Sequence, residues 1–310
     1  MESYKKTFGI FVIAATLALV ACARKDSEQL SFSSPEAAFE ALVVAVDKAE
    51  PGSGAKLLGP GVEELLNSGD PVQDKLDRAT FVTAYRDKHS LESPDENTRT
   101  LIVGANESVF PIPAVKRDGK WILDGNAGAD ELVYRRVGAN ELGAIGVMQG
   151  YVDAQNEYAA KGHDGDPPGI YALKLVSTPG LQNGLYWETA EGEEPSPAGV
   201  FVAAAAAEGY RGNTSGPTYH GYHYRMLYRQ GSNANGGARD YFINGVLSNG
   251  FGLIAWPADY GSSGVMTFIV NPDGVVFQKD LGDDTEKAAS GITSFDPDST
   301  WTAIADTEGK

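Results

Sequence analysis

Cysteine is almost missing from this sequence. Of 310 residues only Cys22 carries a thiol, so no intrachain disulfide can form, and a body thiol nucleophile or cysteine metal cluster is excluded. Histidine is scarce as well, with four residues at positions 89, 163, 220 and 223, which leaves few general bases and few imidazole ligands. Positive charge is short: 25 Lys and Arg stand against 42 Asp and Glu, a formal net charge of −17. That balance repels phosphate backbones and anionic head groups, which argues against a nucleic-acid partner and against a broad membrane-lying surface. The sequence also lacks a glycine-rich phosphate loop ahead of a helix, a Walker lysine and a dinucleotide fingerprint, so no cofactor is expected. Stability has to come from burial, and the length suits two domains of about 100 to 170 residues.

What is present begins at the N-terminus. Lys5 and Lys6 precede a small-apolar run from Phe8 to Ala21, and Ile10 to Leu19 form a core too short to span a membrane stably. Leu19-Val20-Ala21-Cys22 fits a lipobox, so residues 1–21 read as a lipoprotein signal peptide and Cys22 as the lipid-attachment site. Cleavage would remove Glu2, Lys5 and Lys6 and leave the body at −18. Ala23 follows the cysteine where an Asp would signal inner-membrane retention. The expected location is therefore the periplasmic face of the outer membrane, with the membrane reached only through the lipid anchor.

The body reads as α+β. After a tether at 22–31, an N-terminal unit is expected over 32–136. Ser33-Ser34-Pro35-Glu36 opens a helix whose Phe39, Leu42, Val43 and Val46 share one buried face. A short helical piece carries Leu57, Leu58, Val62, Leu65 and Leu66, and a third helix runs from about Val72 to His89. Strands follow at Leu101–Val103 and Val109–Val115, and Arg117-Asp118-Gly119-Lys120 turns into Trp121–Asp124. A second unit is expected over 137–300, with a tail at 301–310. In it Asn140-Glu141 caps a long helix with Leu142, Ile145, Met148, Val152 and Tyr158 at helical spacing. Pro197 to Gly209 reads as an alanine-rich helix. Strands are expected at Tyr219–Tyr228, Tyr241–Val246, Phe251–Trp256, Val265–Val270 and Val275–Lys279, joined in an antiparallel meander.

Several stretches together resemble a bacterial envelope family known as domain of unknown function 2950. They include Asn67-Ser-Gly-Asp-Pro71, Phe110-Pro-Ile-Pro113, Asn140-Glu-Leu-Gly-Ala-Ile145, Ser177-Thr-Pro-Gly180, Tyr219-His-Gly-Tyr222 and Ala255-Trp-Pro-Ala258. The resemblance implies no known chemistry. The first unit, helices followed by strands ending in Asp118-Gly-Lys-Trp121, is similar to NTF2-like domains, which implies helices packed on a curved sheet. The second is distantly similar to the globular part of pilin-like proteins, through Asn140 to Tyr158, Tyr171-Ala172, Gly221 to Tyr224 and Phe251 to Val276. Its helix is internal instead of following a prepilin leader.

Candidate chemistry is thin. His220 and His223, three apart in a strand, point to opposite faces and make a poor start for a metal site. Tyr260-Gly-Ser-Ser-Gly264 lacks the G-x-S-x-G spacing and reads as a turn between strands. Asp164 and Asp166 suit a hard cation. Their loop is cut short by Pro167-Pro168-Gly169 and lacks a downstream bidentate Glu, so they are a weak calcium candidate and no metal is expected. What stands out is aromatic. Tyr186, Trp187, Tyr219, His220, Tyr222, Trp256 and Tyr260 form the candidate binding surface, since Tyr and Trp combine contact area with a polar tip. No catalytic residue is assigned. The favoured expectation is a non-enzymatic, lipid-anchored binding or assembly component with an envelope protein or glycan partner. The alternatives are a cell-wall or glycan hydrolase pairing a carboxylate with His220, and a pseudopilin-like structural subunit.

Overall fold

The computed structural model describes residues 29–49, 51–62, 68–190, 192–200, 202, 205 and 218–305. Cys22, the signal segment, Leu65, Leu66 and most of the alanine-rich stretch lie outside the described residues.

The fold is α+β. Helix α1 (Pro35–Lys48) starts where the sequence places it. Ser34 is the N-cap, its hydroxyl accepting from the Ala37 amide, and Pro35 occupies the first turn. Helix α2 (Ser53–Leu58) ends at Gly59, and α3 (Pro71–Asp87) is capped by Asp70. These helices pack on strands β1 (His89–Glu92), β2 (Thr98–Val103), β3 (Ser108–Val109), β4 (Ala114–Arg117) and β5 (Lys120–Leu123), which run in the order β1-β2-β4-β5, with β3 also on β2. Phe39, Leu42, Val43, Leu101, Ile112 and Leu123 are among the residues of their shared core. The expected strand from Val109 to Val115 is broken at Phe110–Pro113, where two prolines cannot donate to a ladder.

The long helix is longer than its sequence pattern suggests. It is α4, Gly125–Ala159, and the boundary expected at 136/137 falls inside it. Asn140 and Glu141 do not cap it; they lie mid-helix with side chains turned to a distant loop. Leu142, expected to face inward, is 72% exposed, whereas Met148, Val152 and Tyr158 are buried as expected, together with Ala144, Tyr151 and Gln155.

Helix α4 packs on one face of a five-stranded antiparallel sheet. Its strands are β6 (Tyr222–Leu227), β11 (Gly252–Pro257), β12 (Met266–Val270), β13 (Phe277–Asp280) and β14 (Thr302–Ala303), in the order β14-β13-β12-β11-β6. Leu253, Ala255, Phe268 and Val270 point to α4. Ile254 and Ile269 point to the opposite face, where helix α5 (Thr285–Gly291) and Phe295 cover them. Both faces are buried, so β11 and β12 are nearly continuous apolar runs. Two small ribbons, β7 (Arg229–Gln230) with β8 (Arg239–Asp240) and β9 (Phe242–Ile243) with β10 (Val246–Leu247), extend the sheet region. The strand expected at Tyr241–Val246 is a hairpin, because Asn244 and Gly245 both adopt positive φ, the conformation a two-residue type I′ turn needs.

Candidate functional site

The expected aromatic surface separates into distinct places. Tyr219 and Tyr222 exchange both backbone hydrogen bonds (3.0 and 3.1 Å) around His220-Gly221, whose φ angles of 49° and 69° again make a type I′ turn. His220 is pressed by this turn onto α4 at Gly143, where a Cβ would come within 2.9 Å of its Cγ, and lies 4.1 Å from the Tyr219 ring. Tyr222 is not a surface residue. It is fully buried, donates to the Met266 carbonyl at 3.0 Å, and has its phenol pushed up chiefly by desolvation.

Trp256 on β11 pairs with His223 on β6. Its indole donates to Glu286 at 2.6 Å, and the Arg225 guanidinium lies 5.8 Å from its ring centre. Tyr260 donates to Asp280 at 3.0 Å, and that acceptor, ahead of burial, raises its phenol. Tyr186 and Trp187 are elsewhere, near the C-terminal end of α4. The Trp187 ring meets His163 at 5.4 Å and Tyr158 at 6.4 Å. The helix rise alone puts about 22 Å between the level of Gly143 and that of Tyr158.

Asp164, one of the two calcium candidates, accepts from the Gln182 amide at 2.7 Å and so ties its loop to the next one. Burial, then the charges of Asp164 and Asp166, push the Tyr158 phenol up to about 12. Among the described residues no three His, Cys, Asp or Glu side chains converge as metal ligands.

All four histidines lie against aromatic rings: His89 on Tyr85 (3.9 Å), His163 on Tyr158 (4.1 Å), His220 on Tyr219 (4.1 Å) and His223 on Trp256 (5.5 Å). Among the described residues, no carboxylate hydrogen-bonds to His220. His89 and His163 also hydrogen-bond, His89 with the Tyr85 carbonyl and His163 with the Tyr158 carbonyl and Gln182.

Two features were not singled out in the sequence. The first is a buried polar junction. Asp70 uses Oδ1 to accept from the Val72 and Gln73 amides and Oδ2 to accept from the Gly221 amide. Asn140 donates to the Ser263 carbonyl at 2.8 Å, and Glu141 Oε1 accepts from the amides of Val265 and Met266, each at 3.0 Å. Arg136 reaches the Ser262 hydroxyl at 3.3 Å. These bonds join α3 and α4 to the same end of the second sheet.

The second is a cavity of about 680 Å³ between α1, α2, α3 and α4. Leu42, Val46, Leu57, Phe81, Phe110 and Leu132 line its apolar walls, with Asp74, Asp77, Arg78, Arg135 and Arg136 along one side. Two helical stripes build it, Asp74, Asp77, Arg78 and Phe81 on α3 and Leu132, Arg135, Arg136 and Ala139 on α4, each at i, i+3, i+4 and i+7. Asp74 accepts from the Ser68 amide, and Asp77 accepts from Gln73 at 2.8 Å while desolvation raises its carboxyl above the ordinary range. The stripes carry a periodic signal, but charged residues at those positions read as a wet face until the partner helix is known.

A family model described as "Protein of unknown function (DUF2950)" matches residues 29–304. The chain belongs to the DUF2950 family. The match begins where Gln29 is held by the Leu57 and Leu123 carbonyls and ends beside β14, so it spans nearly the whole range of described residues. Three of the stretches that carry the family resemblance, Ser68–Pro71, Asn140-Glu141 and Tyr219–Tyr222, meet at the polar junction. No curated protein and no solved structure matches the chain.

Proposed function

We propose that this DUF2950 protein is a non-enzymatic binding component of the cell envelope, held by lipid at Cys22 on the periplasmic face of the outer membrane. The observation that carries the binding role is the 680 Å³ cavity, which is of the size and apolar character of small-molecule sites. The packing of all four imidazoles on aromatic rings supports binding over hydrolysis by His220. Supporting the anchorage are the lipobox at Leu19–Cys22 and Ala23. In this reading the first unit holds the ligand as an NTF2-like arrangement of helices on a sheet. The pilin-like second unit presents Tyr219, Trp256 and Tyr260 to an envelope protein or glycan.

Native mass spectrometry of protein isolated from envelopes tests the binding role, with a co-purifying small molecule as the expected result; an empty protein under every extraction condition counts against it. Mass analysis of the mature N-terminus tests the anchor. Diacyl or triacyl mass on residue 22 is expected, and an unmodified Cys22 removes the location claimed.

A further inference from the structure

The cavity holds more information than its size. Its occupant has to satisfy two kinds of surface at once: apolar walls on α1, α2, the Phe110 loop, Phe81 and Leu132, and the charged residues of α3 and α4. On that side three arginines face two aspartates among the described residues, and Arg135 is already paired with Glu131. The partners of these groups differ. Arg135 is held by Glu131 and by the Val109 carbonyl, each at 2.7 Å, and Arg136 by Ser262. Asp74 is occupied by the Ser68 amide and Asp77 by Gln73. Arg78, partly buried in the same wall, has no hydrogen-bond or ion-pair partner among the described residues. A half-buried guanidinium left without an acceptor beside an apolar cavity is a counterpart for an anion on an apolar body.

Resting on the binding role proposed above, we infer that the cavity takes a single-chain amphiphile with a monoanionic carboxylate head, a long-chain fatty acid. Its chain lies among Leu42, Val46, Leu57 and Phe81, and its carboxylate meets Arg78. The volume is in the range of a site for one chain. Asp74 and Asp77 beside the arginines disfavour a head of higher negative charge, because like charges in a low-dielectric wall repel strongly. A neutral head would leave Arg78 unanswered.

The test uses the Cys22→Ser chain, which has no acyl group of its own, and cis-parinaric acid as the fluorescent probe. Saturable binding is expected, displaced by palmitate and at least tenfold less well by hexadecanol. Arg78→Glu is expected to weaken the probe tenfold or more, with an unchanged circular dichroism spectrum. Ala139→Trp, at an exposed position on the rim, is expected to abolish binding by filling the entrance.

Equal displacement by hexadecanol and palmitate, together with an unaffected Arg78→Glu variant, overturns the anionic-head assignment. Tighter displacement by lysophosphatidylglycerol than by palmitate overturns the carboxylate. Failure of every long-chain probe overturns the fatty acid itself. Native mass spectrometry still judges the broader binding role separately, because a co-purifying ligand without an acyl chain upholds that role while this inference fails. If the acylated protein rejects the probe that the Cys22→Ser chain binds, the occupant is the protein's own anchor and an exogenous fatty acid is ruled out.

Discussion

The carboxylate of Asp70 accepts a hydrogen bond from the amide of Gly221, 151 residues away in sequence, at 3.2 Å, while its other oxygen caps α3. One fully buried side chain thus serves both halves of the molecule. Asp70→Ala removes a helix cap and leaves a buried amide unpaired, so it is expected to cost about 2–4 kcal/mol. Asp70→Asn keeps one acceptor oxygen but turns a donor toward another group, and is expected to fall between Ala and wild type. Urea unfolding measures the order of the three proteins; equal midpoints for Ala and wild type would show that the contact is dispensable.

At Gly221, on the other side of that bond, there is no room for a side chain. Gly221 has a φ of 69°, and a Cβ there would come within 2.5 Å of Asn140 Nδ2 and 3.1 Å of the Ser263 Cβ. Gly221→Ala is expected to destabilise by about 2 kcal/mol or more, from left-handed strain plus displacement of Asn140. Gly261, also at positive φ but with open space around its Cβ position, is the control and should lose only the strain contribution. Thermal melts of the two variants separate the contributions.

Glu141 holds two successive amides with one oxygen. Replacing it with Ala strips both acceptor contacts and is expected to cost about 2–4 kcal/mol, whereas Gln, which keeps a carbonyl oxygen, should recover at least half. Amide hydrogen exchange at Val265 and Met266 checks the local effect. Faster exchange in Glu141→Ala at those two sites is expected, and unchanged protection would remove the role assigned to the carboxylate.

Asp77 gives an expected pH dependence. Its carboxyl is raised from the ordinary value of 3.8, first by desolvation and also by the nearby Asp74 and Asp70 carboxylates. The native state therefore binds the proton more tightly than the unfolded state, so this group's contribution to stability falls as pH rises through the two values and is unfavourable at neutral pH. Asp77→Asn should raise the unfolding midpoint at pH 7, and the difference from wild type should shrink as the pH drops toward 4 and below. A constant offset across the pH range would contradict the assignment.

Much of the fold was legible because local chemistry and tertiary structure agree. Ser34 and Pro35 start α1, Asp118-Gly119 turns β4 into β5, and the apolar runs of β11 and β12 mark strands covered on both faces. The start of α4 is the case in which a local preference is overridden by distant partners. The pair Asn140-Glu141 suggests that a helix begins at residue 140. In α4, however, Gly128 allows contact with the Pro111 carbonyl, Gly143 accepts His220, and Asn140 and Glu141 bind the loop at 263–266. Asn244-Gly245 carried a clear hairpin signal that the surrounding apolar residues obscured. The cavity was illegible for a different reason, since its charged wall becomes recognisable only when α3 and α4 face each other.

The 35-residue span of α4, about 52 Å of unbroken backbone ladder, enters both apolar interiors, with Leu132 in one and Met148 in the other. The molecule is therefore closer to a strut than to beads on a string. Heating should melt it in one calorimetric step, and force arriving at either extremity is borne along the axis of a single rod.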